Sequence, residues 1–151
     1  MAQLENGRAI AGAEAMLLYA AALAIMLVLD GAWLGWIAKD LYRSQLGALM
    51  APTVSWAPAA AFYLLYAAGL AFFVIVPALE RGDGLLRVAA TGAAFGLVAY
   101  GTYDLTNLAT LKDFPVAVAA ADMAWGGFAS ALACAGAVAA AARWASKAGA
   151  A

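Results

Sequence analysis

The chain has 151 residues, 68% of them hydrophobic and 11% charged, with a net charge of −1. Soluble domains carry about 25% charged residues, so this composition leaves too little polar surface for a water-soluble fold and points to a membrane solvent. There is no histidine and a single cysteine, Cys134. That excludes intrachain disulfides, Cys-based zinc sites and His-dependent catalysis, and the lack of any basic run excludes nucleic-acid partners.

Each membrane span needs roughly 20 apolar residues plus a connection, so the length accommodates four. Residues 1–14, with Glu5, Arg8 and Glu14, read as a short cytoplasmic lead. The first apolar run covers about 15–38 and continues through Trp33 and Trp36, longer than the apolar core of a cleaved signal peptide. Residues 39–55 form a polar connection. In it Leu41, Leu46, Leu49 and Met50 suit an amphipathic segment on the membrane surface, ended by Pro52. The second span runs from about 56 to 79, with Pro58 in its first turn and Pro77 in its last. In the turn that follows, Gly82 and Gly84 offer positive φ. The third span covers about 85–108. A short link has Asp113 as expected N-cap, and the fourth span takes 115–142. The expected fold is all-α: one membrane domain, an up-down-up-down bundle of four transmembrane helices.

The distribution of Lys and Arg sets the expected orientation. Arg8, Arg81, Arg87, Arg143 and Lys147 fall on one side and Lys39, Arg43 and Lys112 on the other, which favours cytoplasmic termini.

Three aspartates interrupt the apolar runs: Asp30, Asp104 and Asp122. An Asp at a helix centre costs roughly 2.5–3.5 kcal/mol to insert. The topology brings all three to the same side, each about 6–11 Å below the surface at 1.5 Å per residue. Asp30 and Asp122 also share a local pattern, D-x-A-W-x-G, in Asp30-Gly-Ala-Trp33-Leu-Gly35 and Asp122-Met-Ala-Trp125-Gly-Gly127. Asp and Trp three apart share a helix face, and the glycines admit a neighbouring backbone. In the third span Tyr100, Asp104 and Asn107 share a face, flanked by Tyr103 and Thr106, which gives Asp104 the richest expected polar surroundings. Tyr63 and Tyr66 of the second span can reach the same cavity. The candidate ligand-binding residues are therefore Asp30, Trp33, Tyr100, Tyr103, Asp104, Asn107, Asp122 and Trp125. The bland alternatives are an interfacial aromatic belt, interhelical hydrogen bonds, and small-residue packing at Gly31/Gly35 and Gly92/Gly96.

These motifs together resemble a family of small bacterial membrane proteins catalogued as domain of unknown function 2177. The residues that carry the resemblance are Asp30 with Trp33-Leu34-Gly35, the stretch Tyr100-Gly-Thr-Tyr-Asp-Leu-Thr-Asn-Leu-Ala-Thr110, and Asp122 with Trp125-Gly126. The family pattern has Trp where this chain has Phe114. The resemblance implies a four-span, multi-pass protein of the bacterial inner membrane and no settled activity or cofactor. Three functions compete on the residues themselves. The first is a site that binds or modifies a lipid or other small molecule. The second is an accessory or assembly subunit of a larger membrane complex. The third is a proton or cation pathway, which in a four-span chain calls for a homo-oligomer.

Overall fold

The computed structural model describes residues 10–148; the expected N-terminal lead lies mostly outside them. The described residues are almost entirely helical. Helix α1 (Gly12–Ala32) passes into a π turn (Trp33–Ile37), and α2 (Lys39–Leu46) follows with a short 3-10 turn (Gly47–Leu49). Helix α3 (Trp56–Leu70) continues through a second π turn (Ala71–Ile75) into α4 (Val76–Arg81), and α5 (Leu85–Thr110) and α6 (Val116–Ala148) complete the chain. Among the described residues, four stretches are long and apolar enough to cross a membrane: Gly12–Ile37, Trp56–Arg81, Leu85–Thr110 and Val116–Trp144. At 1.5 Å per residue, a 26-residue span such as the first reaches about 39 Å, more than a hydrocarbon core of about 30 Å. The outward faces stay apolar, with Trp36, Trp56, Phe72 and Leu86 all more than 70% exposed. This is a multi-pass membrane protein whose outer side chains are solvated by lipid.

The interior is built around α6. It packs on α5, α1, the second π turn and α2, and its buried positions are small: Ala129, Ser130, Ala133, Cys134 and Ala137. In lipid, apolar side chains gain little by leaving the solvent, so close backbone approach and dispersion hold helices together. The α5–α6 contact shows this most directly. A Cβ on Gly92 would meet the Ser130 carbonyl at 2.8 Å and the Cys134 Sγ at 3.0 Å, and one on Gly96 would overlap the Gly126 carbonyl. Gly101 faces Met123, so the two helices run antiparallel. The expected small-residue contact is real at Gly92/Gly96. Gly31 and Gly35 are exposed with nothing within 4 Å of a built Cβ; they face outward because α6 approaches α1 along the face of Asp30 instead.

Three further expectations need correcting. Gly82 does cap its helix in the left-handed region (φ 67°) with the paired bonds Asp83 N–H to Ala78 C=O and Gly82 N–H to Leu79 C=O. Gly84, however, is extended at φ −70° and precedes α5; one left-handed residue suffices to reverse the chain. Asp113 is left-handed (φ 58°), and the carbonyl of Pro115 accepts the first bonds of α6. Pro115 therefore holds the cap position, and Asp113 serves the preceding turn, a conformation Asp tolerates. The second span passes Pro77 by widening: Val76 N–H bonds back five residues to Ala71 C=O, which accommodates the nearby proline without ending the helix.

At the tip between α4 and α5, Asp83 accepts hydrogen bonds from Arg81 (3.0 and 2.8 Å) and Arg87 (3.2 Å). These guanidinium bonds hold its carboxyl below the usual carboxylate range.

The glycine contact is testable. Gly96→Ala places a methyl against backbone that cannot rotate aside, and overpacking of this kind costs about 1–3 kcal/mol. The thermal midpoint of the purified variant in detergent should fall clearly, whereas Gly31→Ala should leave it unchanged. Equal midpoints for both would show that α5 and α6 do not meet at this glycine.

Candidate functional site

The two D-x-A-W segments meet face to face. Asp30 is 3% exposed on α1, and its Oδ1 accepts a 2.7 Å hydrogen bond from the indole N–H of Trp125 on α6. The rings of Trp33 and Trp125 stack with centroids 4.4 Å apart and planes 5° apart. Trp33 in turn donates its indole N–H to the Tyr42 hydroxyl at 3.0 Å, and that hydroxyl donates to Asp122. Each motif thus supplies the acid that orders the other motif's tryptophan, directly in one direction and through Tyr42 in the other. The spacing accounts for the geometry: Asp and Trp three apart lie on one face of each helix, and antiparallel packing sets each acid beside the opposite ring. The π turn that begins at Trp33 leads directly to α2, which carries Tyr42 back over the helix ends.

Tyr42 was not among the candidates read from sequence. The connecting segment is more than a surface helix, since it packs on α6 and closes this network. Burial, and then the Asp122 carboxylate beside it, push the Tyr42 phenol above its ordinary value, so it remains a donor throughout the physiological range. A lone tyrosine in a polar connection carries no periodic signal; only the folded helix end shows where it points.

Beside this network lies a cavity of about 510 Å³. Asp30, Trp33, Tyr42, Asp122 and Trp125 line it. Phe62, Tyr63 and Tyr66 of α3 and Tyr100 and Tyr103 of α5 line it as well. All four spans contribute. The rings support each other edge to face, Tyr66 against Tyr100 at 5.9 Å and Phe62 against Tyr63 at 5.2 Å. Tyr66 is anchored from behind. Ser130 donates its hydroxyl proton to the Gly126 carbonyl at 2.6 Å, which leaves Tyr66 to donate to Ser130 at 2.7 Å. Tyr100 rests on Gly126, where any Cβ would run into its ring. The glycine after the second tryptophan therefore makes room for a wall of the cavity.

Of the eight candidates, six line this cavity: Asp30, Trp33, Tyr100, Tyr103, Asp122 and Trp125. Asp104 and Asn107 do not. Asp104 is fully buried, and neither of its carboxyl oxygens has a hydrogen-bond partner. The expected polar surroundings fail because the nearby hydroxyls are used elsewhere. Those of Thr102 and Thr106 return to carbonyls of their own helix, and the Tyr103 ring packs on Phe114. Asp104 remains near enough to Asp122 for their charges to interact. Among the described residues, however, no three acids or cysteines gather as a metal-holding set. The acids therefore divide into a pair on the cavity and one behind it.

The difference between these acids predicts opposite responses to the same change. Asp30→Leu strips the part-buried Trp125 N–H of its acceptor and should cost about 1–3 kcal/mol. Asp104→Leu removes a buried carboxyl that bonds to nothing, so its thermal midpoint should be unchanged or higher. Scanning calorimetry of both variants checks the pair; a large loss for Asp104→Leu would mean that its oxygens do have partners.

A family model described as "Predicted membrane protein (DUF2177)" matches residues 15–139. No curated protein and no solved structure matches the chain. The match spans both tryptophan motifs and every residue that lines the cavity, and the chain belongs to that family.

Proposed function

We propose that this family member binds a membrane-soluble small molecule, a lipid or another largely apolar ligand, in the cavity among its four spans. The observation that carries this reading is the cavity's make-up: about 510 Å³, walled by aromatic rings, with two carboxylates held in fixed positions. Ligand sites are typically roughly 300–1,000 Å³, mostly apolar, with a few placed polar groups. A purely structural cluster would close on itself. Here the hydrogen bonds and ring contacts leave a space instead, and rings from both α3 and α5 line it without filling it.

Protein purified in a mild detergent should carry a bound molecule detectable by mass spectrometry. Ala59 and Ala99 line the cavity, so Ala59→Trp and Ala99→Trp fill it. Each should reduce the bound amount by roughly tenfold or more, the factor that a loss of about 1.4 kcal/mol brings. Leu86 is 86% exposed on the outer face, and Leu86→Trp should retain the molecule. Equal retention by all three variants would sink the reading.

We also propose the inner membrane of a bacterium as the setting, with cytoplasmic termini. Support comes from the basic residues of the sequence, Arg8, Arg81, Arg87, Arg143 and Lys147 on the side of the termini against Lys39, Arg43 and Lys112 on the other. The tryptophan network then lies toward the outer side. A phosphatase fused to the C-terminus should be inactive and a fluorescent protein fused there should fluoresce; the reverse would invert the topology.

A further inference from the structure

We infer that the head of the ligand is an organic cation, an amine or quaternary ammonium group carrying an apolar tail. The inference rests on the proposed binding role and names the chemical class that the same cavity selects.

Three observations lead to it. First, the charge on the cavity wall has one sign. Asp30 and Asp122 line it, and among the described residues no Lys or Arg does. The basic side chains nearest in sequence, Lys39 and Arg43, are exposed. The lining acids already accept from internal donors, Asp30 from Trp125 and Tyr63 and Asp122 from Tyr42. A carboxylate accepts several hydrogen bonds, so acceptor capacity remains on both. Second, the rest of the wall is π surface. Trp33, Tyr63, Tyr66 and Tyr100 come from three spans, and aromatic faces attract ammonium groups most strongly where water is scarce. Third, the site suits a soft cation and not a metal ion. Hard divalent cations take six or more oxygen ligands, and among the described residues no metal-holding set of three acids exists. An anionic head would meet two acids and, among the described residues, no lining cation.

A cationic head could belong to a phospholipid or to a free amphiphilic amine. The shared chemistry is the onium group; a phospholipid adds a phosphate for which the wall offers no cation.

The test uses the full-length protein in nonionic detergent and four decyl compounds: decyltrimethylammonium, decylphosphocholine, decanol and decyl sulfate. Binding is read from the intrinsic tryptophan fluorescence, to which the stacked Trp33–Trp125 pair contributes. Decyltrimethylammonium should bind about tenfold or more tighter than decanol and decyl sulfate, as a desolvated cation–π site with a counter-charge requires. Decylphosphocholine separates the sources: parity with decyltrimethylammonium supports a phospholipid head, and weaker binding supports a free amine. Equal binding of decyltrimethylammonium, decanol and decyl sulfate would overturn the cation inference and leave the cavity as a binding site. Binding of none of the four would overturn both. Asp122→Asn, which keeps an oxygen to accept from Tyr42, should lose the cation preference while decanol binding persists. If that variant does not fold, the ligand series on the unaltered protein still decides.

Discussion

The close approach of α5 to α6 sets the geometry of the rest. It is possible only because Gly92, Gly96 and Gly126 present bare backbone to the facing helix. In a bilayer no hydrophobic force drives helix on helix, so contact depends on how near two backbones can come. Once they are in contact, Tyr100 lies flat over Gly126, and the residue beside that glycine is Trp125. Packing and site are therefore built from consecutive residues of one helix. The alanines of α6 continue the same principle on its other faces, where Ala133 and Ala137 are fully buried.

From this axis the tryptophan crossing follows. Trp125, held by α6, needs an acceptor for its indole N–H, and Asp30 at the end of α1 provides it. Trp33 lies three residues beyond Asp30, so fixing Asp30 brings the two indoles together. The second acid is further from the second ring, and Tyr42 fills the gap. The asymmetry has a cause in the chain: after Trp33 the helix widens into a π turn and gives way to α2, whereas Trp125 lies in the middle of a continuous helix. π turns recur at functional sites because they displace a side chain from the regular helical register.

The fold was legible in the sequence because lipid imposes a simple rule. A backbone in hydrocarbon must satisfy its own hydrogen bonds, so apolar runs of sufficient length become helices, and the four runs read from composition are the four spans. The site was legible where it rests on helix periodicity. The i, i+3 spacing of Asp30 with Trp33 and of Asp122 with Trp125 foretells shared faces, and all four residues line the cavity. It was not legible where it depends on rotation or on irregular backbone. Gly31/Gly35 and Gly92/Gly96 have the same spacing, yet one pair faces outward and the other is buried. Nothing within either pair distinguishes them; the position of α6 does. Tyr42 is reached only through a π turn and a change of helix direction, neither of which has a residue pattern of its own.

Three aspartates of equal cost in the sequence thus have three environments in the fold. Asp30 is buried and bonded to an indole, and Asp122 is half-buried and bonded to a phenol; both also face a cavity. Asp104, the most buried, has neither a bond nor access to that cavity. A carboxyl that holds helices together should show its partners, and the first two do. Yet their bonds do not exhaust them, because a carboxylate has further acceptor capacity. A packing role alone is met as well by an amide, which costs less to bury than a carboxylate. On the proposed cationic ligand, the carboxyl groups at positions 30 and 122 would supply a charge that an amide does not.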